Sequence, residues 1–114
     1  MLFRSMILIN LTPHSITVRG SHGDVTISAS GNVARVGMTE TPAGEVVGVS
    51  VVRRKAAGVT GLPDPQEGIG FLVSSMVLDA CGGRSDVFAP DTGPTAIRED
   101  GQIVAVRRLV AAAK

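Results

Sequence analysis

The chain has 114 residues, 44% of them hydrophobic, with fourteen glycines, six prolines, one cysteine and a formal net charge of +1. Such a length and apolar content fit one folded domain that buries a core without a metal or disulfide. The near-neutral charge gives no electrostatic reason to expect nucleic acid or an anionic membrane surface as partner. Three phenylalanines are the only aromatic residues, so valine, isoleucine, leucine and alanine must fill the core, and the stacking platforms of single-strand binders are missing.

In chain order, Met6–Asn10 is a short isoleucine-rich run that reads as a central strand, and residues 1–5 before it are expected to be a dispensable extension. Leu11-Thr12-Pro13-His14 breaks that run, because proline removes a ladder donor and holds its predecessor extended. Ser15–Arg19 and Val25–Ser28 alternate as strands around a turn at Gly20–Asp24, predicting a hairpin. Val33–Val36 is a further strand. Gly37–Gly44, with Thr41-Pro42-Ala43-Gly44, reads as a turn or loop, and Glu45–Arg54 is the longest β-branched run. Gly58–Pro63 is a short extended piece, and Asp64–Gly68 a turn.

Gly70–Val73 reads as a strand. Ser74–Ala80 is the one convincing helix, with a serine cap, a buried face of Met76, Val77 and Ala80, and a stop at Gly82-Gly83. Asp86–Phe88 opens another strand. Arg98–Gln102 is a hairpin signal before Ile103–Arg107, and the alanine-rich end, residues 110–114, is expected to fray. The architecture that follows is mainly β, a small antiparallel barrel or sandwich with one short helix near 74–81, in a single domain over 1–114.

The chemistry-bearing motifs are mostly absent: there is no P-loop, GxGxxG, GxSxG, HExxH or CxxC. Cys81 and two histidines cannot make a metal cluster, and Cys81 reads as a packed thiol. No catalytic residue, metal or cofactor is assigned. Three groups remain. Asn10, Thr12 and His14 would share one side of an extended backbone, either contacting a ligand or forming a side-chain-to-backbone bulge. Arg84 and Asp86 would share a face as an ion pair, or hold an arginine fork ready for a carboxylate or phosphate. Asp91-Thr92-Gly93-Pro94-Thr95 followed by Arg98 is an ordinary Asp-capped turn or an anion cradle.

NLTPH at 10–14, GNVARV at 31–36, GVTGLP at 58–63, VSSMV at 73–77, GRSDV at 83–87 and IREDGQIVAVR at 97–107 together resemble a family of short uncharacterised proteins of bacterial and bacteriophage genomes. The resemblance spans nearly the whole chain. It implies a compact stand-alone domain linked to a phage or mobile element, and it carries over no catalytic residue.

The leading expectation is a non-catalytic binding module, a homo-oligomer, holding a small polar or phosphorylated ligand with Asn10, Thr12, His14, Arg84, Asp86 and Arg98. A structural or accessory protein, such as a phage particle subunit or host-protein inhibitor, is the alternative. A small hydrolase or isomerase with His14 as general base is the third. No nucleic acid or membrane is expected as partner. Without a signal-peptide core or an apolar run of membrane length, the expected location is the cytoplasm, or a phage particle for a structural subunit.

Overall fold

The computed structural model describes residues 7–112; the extension expected at 1–5 and the last two residues lie outside them. The class is mainly β, but the strands are distributed over four separate sheets and do not close into a barrel. The centre is a four-stranded sheet. Its strands, in spatial order, are β1 (Ile7–Asn10), β6 (Ile69–Leu72), β7 (Val87–Pro90) and β10 (Leu109–Ala111).

This sheet departs from the antiparallel expectation. β1 pairs with β6, and β6 with β7, in parallel; only β10 runs antiparallel, against β7. The parallel β6–β7 pair needs a crossover, which α1 (Ser75–Ala80) supplies. β1 is therefore an edge strand rather than a central one, and β6 takes the centre, with Phe71 and Leu72 fully buried. The fraying expected over 110–114 does not hold at its start, since Leu109–Ala111 is tied into the sheet by its pairing with β7; residues 113 and 114 lie outside the described residues.

Ser74 caps α1 by accepting a hydrogen bond from the Val77 amide at 3.3 Å. The helix buries Val77 and Leu78. Met76, expected on that face, is instead 58% exposed. Six residues make fewer than two turns, so only the adjacent pair can point at the sheet. Leu11, Ala34, Phe71, Val73, Val77, Leu78, Val87 and Ala89 form the core. Burying side chains of the size of Phe71, Val73, Val77 or Val87 is worth about 1.5–3 kcal/mol each.

Three two-stranded hairpins flank this core: β2 (Ile16–Gly20) with β3 (Gly23–Ile27), β4 (Arg35–Val46) with β5 (Val49–Thr60), and β8 (Ile97–Glu99) with β9 (Gln102–Ala105). The first and last match the hairpins read from sequence, the last turning at Asp100-Gly101 with both residues at positive φ. The middle one does not. The turn expected within Gly37–Gly44 is strand, and the chain reverses at Val47-Gly48. Pairing continues through Thr41 and Pro42, and a register shift between Pro42 and Glu45 takes up one extra residue, Ala43 and Gly44 standing against Val51. The result is a hairpin of two 12-residue strands.

Candidate functional site

The Asn10 group is built where β1 ends. Asn10 is 1% exposed. Its Nδ2 donates to the carbonyls of His14 (2.8 Å) and Ile27 (2.9 Å), while Oδ1 accepts from the Thr12 amide (2.9 Å) and the Thr12 hydroxyl (2.6 Å). That hydroxyl also lies 3.0 Å from the His14 carbonyl. Asn10 thus ties the NLTPH bend to the β2–β3 hairpin, using both faces of its amide on protein groups. The bulge reading describes this geometry. Residues 12–14 bend instead of staying extended, so the three side chains do not form a row. His14 is exposed, and it enters these bonds through its carbonyl.

Arg84 and Asp86 lie between α1 and β7. Arg84 Nε and Nη2 donate to the two carboxylate oxygens of Asp86 at 3.0 and 2.7 Å, a two-pronged pair. The guanidinium carbon sits 5.9 Å from the centre of the Phe71 ring. The hydrogen bond from Arg84, opposed by partial burial, holds the Asp86 carboxyl below its ordinary range, and the same bond raises Arg84. The Asp86 carbonyl also accepts from the Phe71 amide at 2.8 Å, so the pair buttresses the turn that launches β7.

Arg98, on β8, donates to the carbonyls of Thr92 (2.8 Å) and Gly93 (3.2 Å). Asp91 accepts from the Gly93 amide (3.0 Å), the Thr95 hydroxyl (3.3 Å) and Arg108 Nε (2.5 Å). Arg108 is the largest cause of the lowered Asp91 pKa. The 91–95 loop is thus an Asp-capped turn, clamped from one side by Arg98 and from the other by Arg108. No hydrogen bond or ion pair shown among the described residues links the Asn10, Arg84 and Arg98 groups. Nor is there a cluster of three or more His, Cys, Asp or Glu side chains suited to a metal among those residues.

The feature that sequence reasoning missed is the β4–β5 arm. Beyond its root nearly every residue is exposed on both faces. At about 3.3–3.4 Å per residue, strands of this length span roughly 40 Å. The molecule measures 58 × 38 × 28 Å, with a radius of gyration of 17.1 Å. A compact chain of this length has about 13 Å. The signal for the arm was the β-branched run on both sides of Val47-Gly48, outweighed by the more turn-like Thr41-Pro42-Ala43-Gly44.

At the arm's root, Val36, Met38, Ala56, Met76, Asp79 and Ala80 line an open groove of about 260 Å³. A second cleft, of about 170 Å³, lies between β2 and β9 and is lined by Ile16, Thr17, Pro90, Ile103 and Val106 among others, with no charged side chain.

No family model, curated protein or solved structure matches this chain. No helix among the described residues is long and apolar enough to cross a membrane.

Proposed function

We propose that the protein is a non-catalytic structural or accessory subunit that assembles with other protein through its β4–β5 arm. The observation that carries this reading is the arm itself. An isolated two-stranded hairpin is marginal in water, and a packed face is what normally sustains one. Only the root has such packing, against α1. The tip shows the same bias. Val47 is 97% exposed and sits at φ 52, where asparagine or glycine would be comfortable and a β-branched residue is strained. Val46 and Val49 beside it are 61% and 65% exposed. An apolar, strained, exposed turn fits a contact surface better than a solvated loop.

The ligand-holding reading has less support. The polar groups of Asn10 and Thr12, the fork of Arg84 and the guanidinium of Arg98 already engage protein partners, and a small anion would have to displace them. The His14 general-base reading has no supporting carboxylate partner among the described residues. The link to a phage or mobile element belongs to the same proposal and rests on the motif resemblance.

A photo-crosslinking residue placed at Val47 or at Val52, compared with one at Ser21 in the β2–β3 turn, tests the arm as an interface. Covalent adducts to protein are expected from the arm positions and not from Ser21. Equal yields, or none from the arm, would count against the reading.

A further inference from the structure

We propose that the apolar tip of the arm seats in the β2–β9 cleft of a second copy of this chain, so that copies join head to tail. This rests on the reading of the arm as a protein interface, and names both the occupant and the place where it is met. The tip is one patch. Val46, Val47 and Val49 are all largely exposed, around a reversal at Val47-Gly48 where both residues have positive φ. From Thr41 to Val52 the only charged residue is Glu45, and it is exposed. No ion pair engages it among the described residues. The tip therefore offers isopropyl groups beside a single unpaired negative charge.

The cleft offers the converse. Ile16, Pro90, Ile103 and Val106 line it, with hydroxyls from Thr17 and Thr92 and no charged side chain. Two of its lining residues, Ile103 and Val104, remain 41% and 42% exposed. Its volume, about 170 Å³, falls below the roughly 300–1,000 Å³ of ordinary small-molecule sites. It is close to the ~150 Å³ of an apolar cavity that holds benzene, a scale that suits one valine side chain and part of its neighbour. Around the cleft the charge is positive. Arg107 directly follows the lining residue Val106, is exposed, and has no carboxylate partner among the described residues. Arg98 is paired with Ile103 across the β8–β9 ladder, so the two share a face, and its bond to the Thr92 carbonyl holds it at the cleft wall. Asp91, the acid beside Thr92, is paired with Arg108. Glu45 at the base of an inserted tip thus meets Arg107, and opposite charge sets the tip's orientation.

Within one chain the two surfaces do not meet, since Val47 is 97% exposed. Between copies they belong to different patches, which makes the contact heterologous. Each copy still has a free tip or a free cleft after one contact forms, so copies add in series and close where the rotation permits. Burial of the tip offsets the strain of a β-branched residue at φ 52.

Native mass spectrometry and light scattering on the full chain at micromolar concentration should show species larger than the monomer. Val47→Asp carries a carboxylate into the cleft, and Ile103→Asp places one in its wall; each should weaken association about a hundredfold, leaving a monomer. Both positions are exposed in the single chain, and aspartate accepts positive φ better than valine, so circular dichroism should match the wild type. An equimolar mixture of the two variants keeps one intact tip and one intact cleft. It should form a one-to-one pair and nothing larger. In a Cys81→Ser background, a Val47→Cys chain mixed with an Ile103→Cys chain should give a mixed disulfide under oxidation. A wild type that stays monomeric, a Val47→Asp or Ile103→Asp variant that assembles like the wild type, or a mixture that stays monomeric would overturn the proposal. If the wild type is monomeric while crosslinks at Val47 still join another protein, the arm remains an interface and only its occupant changes.

Discussion

At the scale of single residues, the polar side chains that attract notice in the sequence hold loops in place. Asn10 makes four hydrogen bonds from a buried position, so Asn10→Ala takes a partner from the Ile27 carbonyl and the Thr12 amide and leaves the Thr12 hydroxyl and the His14 carbonyl only each other. The expected cost is about 3 kcal/mol, read as a fall in melting temperature of roughly 10 °C or more. Asp86 gives a pH signature. Its folded pKa lies below the ordinary carboxylate value because Arg84 holds the ionised form. The stabilisation is therefore complete above the unfolded pKa, near 4, and is lost as pH falls through the depressed folded value. Asp86→Asn should lower stability at pH 7 and flatten the acid limb; thermal melts from pH 7 down to pH 2 would show both. That Arg84 and Asp86 pair was legible from their spacing. That the pair lies beside Phe71 was not, because Phe71 arrives from another strand.

Among the elements, the hairpin turning at Asp100-Gly101 was readable, since Asp and Gly together accept the positive φ that both positions require. The β4–β5 turn misled because Pro42 and Gly44 carry a stronger local turn signal than Val47 and Gly48. Long-range pairing decided the matter: the two twelve-residue strands stay paired through two register shifts, one of them beside the proline. Gly61 shows the same dependence on context. At φ +80, a Cβ there would lie 2.7 Å from the Val33 carbonyl oxygen, so the exit from β5 requires glycine. The strain at Val47 gives a prediction of opposite sign to the others. Val47→Asn should raise stability by about 1 kcal/mol, read as a higher urea midpoint at unchanged slope, while lowering crosslinking from Val52. A gain in stability with no loss of crosslinking would show that the valine has no contact role.

For the whole molecule, the ratio of arm to core matters most. A protruding ribbon rich in Arg53, Arg54 and Lys55 is an accessible tryptic target when unpartnered and a protected one when packed. Trypsin should cut within this triplet first when the arm is free and later when a crosslinkable partner protein is present, with mass spectrometry locating the nick. Equal rates with and without that partner would show that it does not cover the arm.

The mainly-β class, the short Ser74-capped helix and most strand positions followed from the amino-acid order alone, because alternation, caps and turn residues act over a few positions. Strand order, the parallel pairing through β6, the edge position of β1 and the projection of the arm came only with the tertiary structure. Those features depend on which apolar segments meet across sixty residues of chain, and the reach of local preference ends long before that.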